Sequence, residues 1–318
     1  MSPTVIAIFG PTGIGKTAVA LALARRLRAA GEEPLAISAD ALQVYAGLET
    51  LTGAADATEQ AELEHRLLSF LPLTETFSAG AYAQLAHREI DAALAAGRTP
   101  IVVGGTGLYL RAALTELDLK PPPTPGARER WTAELERVGA PALHARLAER
   151  APWAAERIEP TDRQRIVRAL ELLDAGALAE PPADGAPSQL WTDAMRRPTL
   201  LAGLTLERAE LYARIDARVE AMVAAGASEE VERAVAAGAS ATARRALGFD
   251  ELLAGDVEAM KTRTRRYAKR QLTWMRKLAG VETIDVTGLD ADAVAERIDN
   301  LRRRQPPVPD PSQTPEAA

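Results

Sequence analysis

Gly10-Pro11-Thr12-Gly13-Ile14-Gly15-Lys16-Thr17 is the stretch whose reading decides the fold. It fits the pattern G-x-x-x-x-G-K-[ST]. Before it, Val5-Ile6-Ala7-Ile8-Phe9 is an apolar run of the length of a buried strand. After it, Ala18 to Leu27 combines good helix formers with apolar positions at helical spacing. Strand, glycine loop and helix aim successive backbone N–H groups into one concavity, and the helix N-terminus adds partial positive charge. Such a loop binds the di- or triphosphate of ATP or of another phosphorylated ligand. Lys16 is expected to reach the terminal phosphates and the Thr17 hydroxyl to ligate Mg²⁺.

The rest of the chain narrows the class. Its 318 residues leave room for two domains, or for one core with a sizeable insertion, and a hydrophobic fraction of 47% suits a globular protein. Cysteine is absent, which excludes disulfides and Cys-built zinc sites, and three His argue against a His-built metal site. Residues 1–10 do not read as a signal peptide, and no run of 18 apolar residues exists, so a cytoplasmic protein without a membrane partner is expected. The net charge of −6 is spread unevenly, and local charge decides polyanion binding.

Strands are predicted at 34–39, 99–103, 199–204 and 281–286, and helices at 78–96, 108–114, 208–225, 228–237, 261–279 and 291–304. Residues 51–64 read as a mobile loop running into a helix. From Lys120 the composition changes to a charged, helix-rich stretch, with helices predicted at 127–138, 141–149 and 163–175. A Pro/Gly/Ala-rich loop at 178–188 and a Pro-rich tail at 305–318 are expected to be disordered. The reading is an α/β core with a parallel sheet, 1–118 and 198–304, interrupted by a helical insertion at 119–197.

Asp40 follows the second strand, where an open parallel sheet places its ligand crevice. It could hold Mg²⁺, act as a general base, or N-cap a helix. Thr106, within Gly104-Gly105-Thr106-Gly107 after the third strand, could project into the same crevice or serve a tight turn. The sole Asn is Asn300, so the guanine-reading N-K-x-D motif is absent, and the third strand does not end in a Walker B Asp. The second signal is basic. Lys261 to Lys277 holds eight Lys/Arg with no acid between Glu258 and Glu282. Arg263, Arg266, Arg270 and Lys277 share one helical face, and Tyr267, Trp274 and Leu278 form a neighbouring stripe. That face suits a phosphodiester backbone or is a solvated surface over an aromatic core stripe. Arg128, Arg157, Arg163, Arg165 and Arg168 could extend it, and His65 could contact phosphate or be structural.

In order along the chain stand GPTGIGKT at 10–17, SADALQVYAGLE at 38–49, HRLL at 65–68 and GGTGLYLRAAL at 104–114. PTDRQRIVRALELL at 160–173, LYARIDARVEAMVAAG at 211–226, ALGFDEL at 246–252 and YAKRQLTWMRK at 267–277 follow. With these segments the chain resembles the tRNA dimethylallyltransferases (tRNA isopentenyltransferases) from about Val5 to Val286. The resemblance implies a P-loop-kinase-like core with a helical insertion. It also implies transfer of a dimethylallyl group from dimethylallyl diphosphate to N6 of the adenosine 3′ of the anticodon, with Mg²⁺ and a tRNA anticodon stem-loop as partners. A monomer is expected. Under this resemblance Asp40 accepts the proton of the amine and Thr106 orients the reacting groups. Asp40, Ala41, Leu42, Gln43, Thr106, Arg128 and the run Gln164-Arg165-Ile166-Val167-Arg168 match residues that touch the tRNA. Ala41 stands where the family commonly has Ser, and 49–55 lacks the family's Lys. The zinc finger of some eukaryotic members is absent. Competing readings are an isopentenyltransferase acting on free adenine nucleotides, a small-molecule kinase with ATP in the loop, and a non-catalytic RNA-binding module.

Overall fold

The computed structural model of the protein describes residues 4–120, 124–180 and 189–304. The predicted disorder at 305–318 and in most of the 178–188 loop lies outside the described residues. The described chain divides into two compact units, Asp118–Gln189 and the remainder.

The larger unit is built on a parallel sheet in the order β3-β2-β4-β1-β5-β6. Its strands are β1 Val5–Phe9, β2 Pro34–Ser38, β3 His65–Arg66, β4 Thr99–Gly104, β5 Thr199–Thr205 and β6 Val281–Asp285. Residues of β1 and β2 are buried throughout, as befits central parallel strands covered on both faces. Ile6, Ile8 and Phe9 are wholly enclosed, each worth roughly 1.5–3 kcal/mol of burial. The helices of the unit begin with α1 Lys16–Ala29, α2 Glu49–Thr52, α3 Ala57–Glu62, α4 Ala79–Ala95 and α5 Gly107–Leu114. The insertion then contributes α6 Ala127–Val138, α7 Ala140–Arg150, α8 Pro152–Ala155 and α9 Arg163–Asp174. After it come α10 Arg208–Ala224, α11 Ala227–Ala236, α12 Phe249–Leu253, α13 Val257–Met275 and α14 Ala291–Arg304. α1 packs with α14, and α4 with α5, each pair lying against the sheet.

One consequence of strand order governs everything downstream. Because β4 lies between β2 and β1, three loops leave adjacent strand ends: Gly10 onward from β1, Ala39–Asp40 from β2 and Gly105–Thr106 from β4. Ser38 pairs with Val103 and Phe9 with Gly104, so the three strands end level.

Local chemistry accounts for where the sequence expectations shift. Residues 51–64 are ordered as two short helices, and Asp56 with Glu59 forms a reciprocal capping box at the second. The two-residue edge strand His65–Arg66 pairs with β2 and is too short to leave a periodic signal. The long basic helix starts a turn before the predicted Lys261, because the Asp256 carboxylate accepts from the Ala259 N–H at 2.8 Å. Residues 190–197, read above as part of the insertion, group with the sheet. Trp191 packs against Trp274 with the ring planes tilted by 53°, and Arg196 bonds the Leu114 carbonyl through its backbone and Asp91 and Glu116 through its side chain.

The unit Asp118–Gln189 has its own core, in which Leu143, Leu147, Ile166, Val167 and Leu170 meet from α7 and α9. A wholly buried carboxylate, Glu171, accepts two bonds from Arg128 at 2.7 and 3.0 Å and one from Arg168 at 3.1 Å. Burial alone would raise its pKa, but the two guanidinium groups outweigh that and hold it below the ordinary value.

Candidate active site

The three adjacent loops border a cleft of about 490 Å³, within the range of small-molecule sites. The glycine loop forms one wall. Gly15 takes φ +95°, a left-handed conformation that starts α1 without a side-chain cap, so its first-turn N–H groups have no capping side chain. The Lys16 ammonium donates to the carbonyls of Gly10 and Pro11 at 3.0 and 3.1 Å. Its pKa is lowered to about 8, mainly by burial and then by the neighbouring Arg218 guanidinium, with Asp40 opposing. Thr17 lines the cleft beside it.

Asp40 forms the second wall. Its Oδ1 accepts from the Leu42 N–H at 2.9 Å and the Gln43 N–H at 3.4 Å, so that oxygen caps a turn and not the helix N-terminus considered from the sequence. Among the described residues Oδ2 accepts no hydrogen bond, and the carboxylate keeps one oxygen for other work. From β4, the Thr106 hydroxyl accepts from the Ala41 N–H at 3.4 Å and stands 3.4 Å from the Tyr267 hydroxyl. The surrounding glycines make this approach possible: a Cβ on Gly105 would collide with the Gln271 amide, and one on Gly107 with the Trp274 ring.

The third wall comes from helices. Met260, Thr264, Tyr267 and Gln271 of α13 line the cleft at offsets 0, 4, 7 and 11. Gln271 reaches two loops at once, accepting from the Thr12 N–H at 2.9 Å and donating to the Gly105 carbonyl at 2.7 Å. α10 adds Val219, Met222 and Arg218, whose Nη2 donates to the Gly53 carbonyl at 3.3 Å while its buried Nε has no partner among the described residues. Burial lowers its pKa, against the attraction of Asp40. The cleft is thus lined by two cations, Lys16 and Arg218, together with apolar Leu51, Val219, Met222 and Met260.

Sequence reasoning gave Arg218 no role, although a signal existed. Arg218 occupies offset 7 in the stripe Leu211, Ile215, Arg218, Met222, where an apolar residue would otherwise stand. Gln271 left no comparable trace in a run dominated by charge.

Not every expected contact residue faces a ligand. Leu42 borders the cleft, and Ala41 offers its N–H to Thr106. The Gln43 amide is engaged with the carbonyls of Thr52 and Gly53 at 3.3 and 3.1 Å, which fixes α2. Ile166 and Val167, expected from the sequence as tRNA contacts, are buried in the core of the insertion, whereas neighbouring Gln164 and Arg165 are exposed. Arg128 and Arg168 share Glu171, Arg163 pairs with Glu136, and Arg165 with Asp162 at 3.4 Å. His65 lies outside the cleft and bonds the Leu63 carbonyl at 2.6 Å, a structural histidine whose pKa is lowered by burial. On α13, Lys261 pairs with Glu220 and Glu258, Arg263 with Glu251, and Arg265 with Asp216. Arg266, Lys269, Arg270, Arg276 and Lys277 are exposed and have no carboxylate partner among the described residues. Arg270 lies over the Tyr267 ring at 5.4 Å.

For Mg²⁺, the described residues hold no cluster of three His, Asp or Glu. The hard oxygen of Thr17 with the Asp40 carboxylate nearby suits an ion that takes most of its ligands from phosphates and water.

Comparisons with known proteins agree with this geometry. The family model described as IPP transferase matches residues 43–278. That range begins after the glycine loop, so the match does not depend on the phosphate-loop pattern. A tRNA dimethylallyltransferase of Anaeromyxobacter sp. (strain Fw109-5) is 42% identical over 309 residues, 93% of this chain and 98% of that protein. One from Rhodospirillum centenum is 44% identical over 290 residues, 86% and 88% of the two chains. The crystal structure of the full-length tRNA isopentenylpyrophosphate transferase from Bacillus halodurans superposes with a TM-score of 0.65 at 33% identity, covering 94% of this chain and 95% of that one. A eukaryotic dimethylallyltransferase acting on tRNA shares the fold, with a TM-score of 0.75 at 24% identity, over 96% and 81% of the chains.

Proposed function

The chain belongs to the tRNA dimethylallyltransferase family, and from that premise we propose that it moves a dimethylallyl group from dimethylallyl diphosphate to N6 of the adenosine 3′ of the tRNA anticodon, releasing diphosphate. The observation that carries this reading is the meeting, in one cleft, of a diphosphate cradle and a carboxylate with one uncommitted oxygen.

The chemistry assigns each wall a task. The C–O bond of the donor breaks with its electron pair leaving on diphosphate, where the loop N–H groups, Lys16 and Arg218 stabilise the growing charge. Mg²⁺ held by Thr17 and the diphosphate would supply further charge neutralisation. The N6 amine is a poor nucleophile because its lone pair is delocalised into the ring. As the C–N bond forms, an N6 proton passes to Asp40 Oδ2, while Oδ1 stays anchored to its turn. Thr106, held between the Ala41 N–H and the Tyr267 hydroxyl, orients the groups in between. The apolar side chains of the cleft receive the five-carbon tail and keep water from the allylic carbon. Bringing the base to the donor requires unstacking it, at roughly a few kcal/mol. The exposed cations of α13 offset that by gripping the backbone. This protein is read as acting in the cytoplasm, as a monomer.

The test is mass spectrometry of nucleosides from unmodified tRNA incubated with the protein, Mg²⁺ and dimethylallyl diphosphate. The expected product is an adenosine heavier by one dimethylallyl group at the position 3′ of the anticodon. Modification of free adenosine monophosphate in preference to tRNA, or phosphate transfer from ATP, would contradict the proposal.

A further inference from the structure

We propose that Gln271 is a positioning residue that couples RNA docking on α13 to the donor-binding state of the glycine loop. This inference rests on the functional reading above, in which the loop holds diphosphate and α13 faces RNA.

The geometry is specific. Gln271 is buried at 5% exposure, and its amide spans two loops that belong to different strands. Oε1 accepts from Thr12 at the start of the glycine loop, and Nε2 donates to Gly105 at the start of the Thr106 turn. A shorter amide could not reach both, and Gly105 must lack a Cβ for Nε2 to fit. The bond to Gln271 occupies the Thr12 N–H, which leaves the N–H groups later in the loop for an anion. One residue therefore sets the aim of the phosphate cradle and the place of the Thr106 turn.

The same helix carries the unpaired cations. Arg266 and Arg270 lie one residue before Tyr267 and Gln271 respectively, on the adjoining exposed side, and Arg270 also covers the Tyr267 ring. Tyr267 in turn approaches Thr106. A load on the basic face is thus transmitted through a rigid helix to two side chains that grip both loops. Binding that fixes α13 fixes the cradle, and an occupied cradle fixes α13. Linkage requires this effect to be reciprocal.

The experiment measures coupling in the full-length protein. Affinity for inorganic diphosphate with Mg²⁺ is determined by calorimetry, with and without an anticodon stem-loop RNA, for the wild type, Gln271→Met and Gln271→Ala. In the wild type the RNA is expected to tighten diphosphate binding by about fivefold or more, a typical coupling magnitude. In Gln271→Met the factor should fall below about twofold, while affinity for RNA alone and its salt dependence stay unchanged. A residue of merely structural importance would weaken both ligands and leave the factor intact; that result, or a wild type without coupling, overturns the proposal. If neither variant folds, hydrogen exchange of the peptide containing Thr12 in the wild type decides: it should slow when RNA binds, and an unchanged rate overturns the clamp. A wild type that binds diphosphate but no RNA refutes instead the functional reading beneath it.

Discussion

Lys16 shows how placement sets reactivity at the scale of one residue. Desolvation and the Arg218 guanidinium lower its pKa to about 8, so the free enzyme loses this cation as pH rises through that value. Diphosphate binding favours the charged form, which requires kcat/KM for the donor to fall above about pH 8. A donor already bound supplies the opposite charge, so kcat should decline less over the same range. A pH profile of kcat/KM that stays flat to pH 10 would show that Lys16 is not the group that matters. Arg218 is the harder residue to read from the chain. Its place in an apolar stripe is visible in hindsight, but only the fold shows that the stripe ends at the cleft rather than in the core.

Among the elements, α13 repays comparison with its sequence. Eight cations in seventeen residues read as one basic surface. Three of them are neutralised by acids: Glu258 at i,i+3 from Lys261 is a local pair, but Glu220 and Asp216 of α10 and Glu251 of α12 are partners that no local pattern reveals. The expected RNA face therefore splits. Arg266→Ala and Arg270→Ala should each weaken tRNA binding and reduce the slope of log K against log salt by about 1. Arg263→Ala, whose partner is Glu251, should change that slope much less; equal slopes for all three would refute the division. The strands and most helices were legible because apolar runs and caps are local features. The single turn at 49–52 and the edge strand at His65–Arg66 were not, being too short for periodicity to register, whereas the helix expected toward the end of 51–64 stands at Ala57–Glu62.

Across the whole molecule, the strand order rather than any single motif brings the chemistry together. The glycine loop, Asp40 and Thr106 are separated by tens of residues, and β4 inserted between β2 and β1 makes their loops neighbours. The sequence placed each at a strand end, but the adjacency depends on sheet order, which is set by long-range packing. The insertion illustrates the opposite case. Arg128 and Arg168, expected from the sequence to reach RNA, both satisfy the buried Glu171. Glu171→Ala should cost that unit about 1–3 kcal/mol. Hydrogen exchange should report this in α6 and α9, with diphosphate affinity of the sheet unit unchanged; protection lost equally throughout the chain would contradict two separable cores.

The central claim is that Asp40 takes the amine proton while the glycine loop holds the leaving group. Single-turnover transfer by Asp40→Asn, with tRNA and donor both saturating, tests it most directly. The account predicts a rate lower by about 10²–10⁴, with affinity for the anticodon stem-loop held within about twofold. Transfer at the wild-type rate, or a loss explained entirely by weaker RNA binding, would contradict it.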